Sequence, residues 1–144
     1  MEIHYQHTFF NPHTLREAAK RYLARLPKDI NVLVSTGSSG CAIATAMVIL
    51  SDRTLRHVFI RKPYEMKSHG NQFVGYEYGT MEDCKFAVVD DFVHTGRTLK
   101  RLLKQCPERF TFHTVLVGYA GGFNDSEVIK KLEKQYRLNI IIVD

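Results

Sequence analysis

Apolar residues recur along the chain in two periods, and the switches between them mark the elements. Leu15, Ala18, Ala19, Tyr22, Leu23 and Leu26 step by three and one, the stripe of a helix with one buried face. Asn11 followed by Pro12 gives that helix an N-cap and a proline at its first position, and Pro27 stops it. Residues 31–35, 57–62, 73–78, 86–90, 112–118 and 139–143 read as strands, mostly short runs of apolar, β-branched and aromatic residues. Residues 41–50 form a mostly apolar helix after the first strand. Leu99, Leu102 and Leu103 make a second helical stripe, ended by Pro107. Val128, Ile129, Leu132 and Tyr136 make a third, capped by Asn124 or Asp125. Strands alternating with helices predict an α/β fold with a mostly parallel sheet, because parallel neighbours need helical crossovers. The third strand follows the second across a polar loop, 63–72, with no crossover helix, so it is expected to run antiparallel.

Composition narrows this further. The 144 residues suit a single domain, 1–144, with an N-terminal segment and helix over 1–30 and a core over 31–144. A domain of this size buries roughly 68–70% of its unfolded surface, so one core suffices without disulfides. Cys41, Cys84 and Cys106 are odd in number and lack CxxC spacing, which predicts free thiols in a reducing, cytoplasmic setting. No apolar run approaches the roughly 18 residues of a membrane span, and no signal-peptide pattern opens the chain, so no membrane association is expected. The formal charge of +5 and pI of about 9.2 favour anionic partners, a polyphosphate or an RNA. Arg16, Lys20, Arg21 and Arg25 on one helix, and Lys130, Lys131 and Lys134 on another, read as solvated faces.

The densest chemistry follows the strand at 86–90. Asp90 and Asp91 stand at its end, then Thr95, Gly96, Arg97 and Thr98 open a helix. In open α/β sheets, ligands bind beyond the carboxyl ends of the strands. A loop opening a helix there offers free N–H groups and the positive end of the dipole to a phosphate. The two carboxylates suit sugar hydroxyls or the waters of a hard cation such as Mg²⁺. Phosphate donors beside carboxylates for a diol describe a site for a phosphorylated ribose. A second strand-loop-helix, with Thr36, Gly37, Ser38, Ser39 and Gly40 in its loop, can form another nest of N–H groups for an anion.

Residues 88–99, Val-Val-Asp-Asp-Phe-Val-His-Thr-Gly-Arg-Thr-Leu, resemble the ribose-5-phosphate signature of the type I phosphoribosyltransferases. Arg61, Lys62, Lys67, His69 and Gly70 resemble the catalytic flap of the orotate members. The resemblance implies a three-layer fold with six strands in the order 3-2-1-4-5-6, the third antiparallel, and a reduced hood. It implies transfer of ribose 5-phosphate from phosphoribosyl pyrophosphate to a nucleobase, with Mg²⁺ as cofactor and pyrophosphate as product. His94, Thr95, Gly96, Arg97 and Thr98 are then expected to hold the 5-phosphate. Thr36, Gly37, Ser38, Ser39, Gly40, Arg61 and Lys62 are expected to hold the pyrophosphate. Asp90 and Asp91 are expected to hold the ribose hydroxyls and metal waters, and Lys67 and His69 to meet charge on the leaving group.

His94 stands where 6-oxopurine enzymes of this family carry an aspartate, which together with the flap favours orotate or another pyrimidine as acceptor. Tyr5, Phe9 and Phe10 offer either a small aromatic lid or core. A homodimer is expected, since family members often lay one flap over the neighbouring site. A second reading stays open: a non-catalytic relative that binds phosphoribosyl pyrophosphate or a nucleotide as a regulator, with RNA as its partner.

Overall fold

The central strand β1 (Val32–Ser35) is buried along its whole length. Alternation sends Val32 and Val34 into one core and Leu33 into the other, so the strand must be covered on both faces. The computed structural model describes residues 11–65, 72–75, 84–106, 110, 112–118 and 124–144. Around β1 lie β2 (Arg56–Ile60), β3 (Phe73–Val74), β4 (Phe86–Asp90), β5 (Phe112–Gly118) and β6 (Asn139–Val143), in the order β3-β2-β1-β4-β5-β6. All neighbours pair parallel except β2 and β3, which are antiparallel through Phe59 with Val74 and Ile60 with Phe73. The order and the reversed third strand are those expected from the sequence.

Among the described residues four helices make the outer layers: α1 (Pro12–Arg25), α2 (Ser38–Leu50), α3 (Arg97–Gln105) and α4 (Ser126–Tyr136). Ala18, Ala19 and Tyr22 of α1 and Ile43, Ala44 and Met47 of α2 join Leu33, Ala87, Val89 and Leu116 on one face. Leu99 and Leu102 of α3 and Ile129 and Leu132 of α4 join Val34, Val88, Val115 and Val117 on the other. Burying one such leucine or isoleucine side chain contributes about 1.5–3 kcal/mol. Asn11 caps α1 as expected, its Oδ1 accepting from the amides of His13 and Thr14 at 3.0 and 3.3 Å. Asp125 takes the cap of α4, accepting from Glu127 and Val128 at 3.0 and 3.1 Å.

Element ends differ from the expected ones for local reasons. Asn31 stays outside β1 because its side chain accepts from the Lys85 amide at 2.8 Å. Strand β2 ends at Ile60, since the Lys62 amide turns to Glu65 Oε2 at 2.7 Å and closes a 3₁₀ turn over Pro63–Glu65. The return strand is Phe73–Val74 among the described residues. Its remaining expected positions, 76–78, lie outside them, as do Tyr5, Phe9, Phe10, Lys67 and His69. Among the described residues no helix is long and apolar enough to cross a membrane.

Strands β1 and β4 are neighbours, in register at Val34 and Val88. The chain leaves β1 for α2 on one face and leaves β4 for α3 on the other. Loops that part in this way open a crevice at the carboxyl end of the sheet, the switch point where α/β folds bind ligands.

Candidate functional site

The crevice is a cleft of about 280 Å³, lined by residues 36–40, Lys62 and residues 90–99. Both helices that open into it, α2 and α3, begin on a glycine, Gly37 and Gly96, with no side-chain cap. This contrasts with α1 and α4, which are capped by Asn11 and Asp125. The Arg97 amide makes a long bond, 3.4 Å, to Thr95 Oγ1; first-turn N–H groups left without a side-chain partner are donors for an anion, and the helix dipole adds to their pull.

Two glycines are required by geometry. Gly96 has φ +77°, and a β-carbon there would stand 3.0 Å from Leu132 Cδ1, so only glycine turns the loop against α4. A β-carbon on Gly40 would stand 2.8 Å from the Val89 carbonyl oxygen, so α2 approaches the end of β4 only through a glycine.

Asp90 and Asp91 sit between the two loops. The Asp91 amide donates to Asp90 Oδ1 and the Phe92 amide to Asp91 Oδ1, each at 2.9 Å, which fixes the carboxylates. Burial first, and then the charge of Asp91, raise the Asp90 carboxyl well above its ordinary value; the Lys62 charge acts weakly the other way. Lys62 Nζ lies 5.9 Å from the centre of the Tyr64 ring and would stand 3.8 Å from a β-carbon on Gly37, at the edge of the first loop.

Residues far away in the chain hold this end of β4. Tyr22 of α1 donates its hydroxyl to the Asp90 carbonyl at 2.8 Å. The Gly118 amide donates to the Asp91 carbonyl at 2.9 Å. Asn124 accepts from the Val93 amide and donates to the Gly118 carbonyl, both at 2.9 Å. Sequence reasoning missed Tyr22, Gly118 and Asn124 in this role, and it gave Asn124 only as a candidate cap.

Of the residues expected in the site, Thr36, Gly37, Ser38, Ser39, Gly40, Lys62, Asp90, Asp91, His94, Thr95, Gly96, Arg97 and Thr98 line one cleft. Arg61 does not. Successive side chains along an extended segment point to opposite sides, so Arg61 and Lys62 cannot share a direction. The Arg61 amide donates to the Gln72 carbonyl at 2.9 Å, and its carbonyl accepts from Gln105 Nε2 at 3.1 Å. Phe92, Val93 and Leu99 complete the lining.

The carboxylate pair fits a hard cation that brings most of its own ligands. Among the described residues no group of three or more His, Cys, Asp or Glu is placed to hold a metal alone. Mg²⁺ is usually bound through one or two carboxylates together with substrate phosphates and waters.

No protein-family model and no curated protein sequence matches the chain. Solved structures do. Orotate phosphoribosyltransferase from Francisella tularensis matches with a TM-score of 0.70 at 15% identity, over 94% of this chain and 67% of that one. Orotate phosphoribosyltransferase from Mycobacterium tuberculosis H37Rv, in complex with 5-phospho-α-D-ribosyl 1-diphosphate, matches at 0.65 and 15%, over 95% and 76%. Adenine phosphoribosyltransferase from Trypanosoma brucei matches at 0.64 and 13%, over 96% and 67%. At such identities the likeness concerns the backbone, and that backbone, with its β3-β2-β1-β4-β5-β6 sheet and antiparallel β3, is the type I phosphoribosyltransferase fold.

Proposed function

We propose that the protein is a phosphoribosyltransferase, moving ribose 5-phosphate from phosphoribosyl pyrophosphate to a nucleobase and releasing pyrophosphate. One observation carries the reading: two helix N-termini without side-chain caps converge on one cleft, with a carboxylate pair between them. That spacing of two anion sites around a diol site suits a sugar phosphorylated at both ends. The M. tuberculosis neighbour, solved with this substrate, supports it.

In this reading the N–H groups and hydroxyls of 94–98 hold the 5-phosphate. The N–H groups of 36–40 and the hydroxyls of Ser38 and Ser39, with Lys62, hold the pyrophosphate. Asp90 and Asp91 accept from the ribose hydroxyls. The C1–O bond to pyrophosphate breaks as a C1–N bond to the base forms. Positive charge grows on the sugar facing the carboxylates, and negative charge grows on the leaving group, which Lys62 faces and on which Lys67 and His69 are proposed to act. Asp90 and Asp91 are the residues that would hold Mg²⁺, which would supply positive charge toward the phosphate oxygens. Lys67 and His69 enter from their match to the orotate flap, and the acceptor is proposed as orotate or another pyrimidine on the same ground.

The test is a screen of orotate, uracil and the purine bases with phosphoribosyl pyrophosphate and Mg²⁺, following pyrophosphate release. Turnover of one base is expected. Lys67→Ala should then lower kcat by about 10²–10³, because that contact strengthens in the transition state. An equally fast variant would remove Lys67 from the mechanism. The second reading, a regulator without turnover that binds RNA, is favoured by the formal charge of +5. Wild-type protein that binds phosphoribosyl pyrophosphate but turns over no base would support it.

A further inference from the structure

Arg101 lies one turn after Arg97 on α3, on the same helix face. Its Nη2 donates to Thr36 Oγ1 at 2.9 Å, and Thr36 Oγ1 in turn donates to the Ile60 carbonyl at 2.8 Å. The threonine hydroxyl thus spends its one proton on the end of β2 and a lone pair on α3. Thr36 is only 3% exposed, so water scarcely competes for these bonds. Three elements distant in sequence, α3, the end of β1 and the end of β2, meet on a single oxygen atom.

Arg101 has no carboxylate partner among the described residues. Its charge stands, among the described residues, without an ion pair at the root of a loop, 36–40, that carries no charged residue of its own. The direction of the Thr36 backbone sets where the next N–H groups point. A guanidinium is well suited to this task, because its planar fork is always charged and loses little freedom on bonding. One helix then touches both anion sites: its first turn faces one loop and its second braces the other.

We propose that Arg101 is a positioning residue that couples the pyrophosphate loop to the ribose-phosphate helix by holding Thr36, and so fixes the separation of the two phosphate sites. This rests on the reading of the cleft as a phosphoribosyl pyrophosphate site. Arg101 acts through Thr36 rather than on the substrate, so its loss should fall on one end of the substrate only.

The experiment is calorimetric titration of inorganic pyrophosphate with Mg²⁺ and, separately, of ribose 5-phosphate. The proteins are wild type, Arg101→Met, Arg101→Lys, Thr36→Val and the Arg101→Met/Thr36→Val double variant. Losing a charge-assisted bond at this place should weaken pyrophosphate binding about tenfold in Arg101→Met. Ribose 5-phosphate binding should be unchanged, and Arg101→Lys should recover part of the loss. The double variant should be no worse than the worse single one, since both cut one link. Thr36→Val keeps the side-chain volume and should reproduce the selective loss, which secures the test if Arg101→Met does not fold. Equal loss of both ligands, loss of neither, or additive losses in the double variant would overturn the coupling while leaving the cleft reading intact. Wild-type protein that binds neither ligand would overturn both.

Discussion

Asp90 carries the sharpest conflict in the molecule. Its carboxyl is buried beside another carboxylate and held well above its ordinary value near 3.8. The folded state therefore keeps a proton that the unfolded chain has already released. Stability falls as pH climbs from that ordinary value through the raised one. Asp90→Asn removes the conflict and keeps an oxygen to accept from the Asp91 amide, so its melting temperature at neutral pH should exceed that of wild type, the gain shrinking in acid. A lower melting temperature at neutral pH would contradict this. His57 has the opposite sign. Burial lowers its pKa from 6.5 to about 4, with Ser35 Oγ 2.6 Å from its Nε2. Its contribution is full above pH 6.5 and is lost as pH falls toward 4. The size is about 2 kcal/mol, less than the full shift implies because the ring keeps some water contact. His57→Gln should flatten the melting temperature against pH across that window; an unchanged slope would put the acid sensitivity elsewhere. The residues that line the cleft were legible because they are contiguous, 36–40 and 90–98. Those that brace it were not: Tyr22 and Asp90 are 68 positions apart, and Arg101 and Thr36 are 65. No local pattern encodes such pairs.

At the scale of elements, caps and periods carried the reading. Asn11 and Pro12 start α1, and the 3,1,3 stripe of α1 packs as predicted, with Ala18, Ala19, Tyr22 and Leu26 buried. Strand ends were less legible, because competing side-chain bonds such as that from the Lys62 amide to Glu65 set them. Arg61 enters the expected site only through its match to the orotate flap, and the structure leaves it outside the cleft that Lys62 lines. The turn into α3 depends on Gly96 at φ +77° against Leu132. Gly96→Ala should therefore cost about 1–3 kcal/mol, from left-handed strain and crowding together. The shifted first turn of α3 should also weaken ribose 5-phosphate binding. Denaturant unfolding and titration measure the two effects, and an alanine variant as stable as wild type would show that the turn tolerates a side chain.

At the scale of the whole molecule, strand order makes the site. Because β1 and β4 are adjacent but send their helices to opposite faces, two loops that open helices without side-chain caps part around an acidic pair. The alternation of strands and helices announced the parallel sheet, whereas the order of its strands came only through the resemblance, since pattern alone does not say which strand neighbours which. The central claim is that this cleft binds phosphoribosyl pyrophosphate, and calorimetric titration of that ligand with Mg²⁺ tests it most directly. Wild type should bind one equivalent. The Asp90→Asn/Asp91→Asn variant, folded as judged by circular dichroism, should bind at least about tenfold more weakly, having exchanged the carboxyl acceptors for the ribose hydroxyls for weaker amide ones. Equal affinity in the two proteins, or no binding by wild type, would contradict the account.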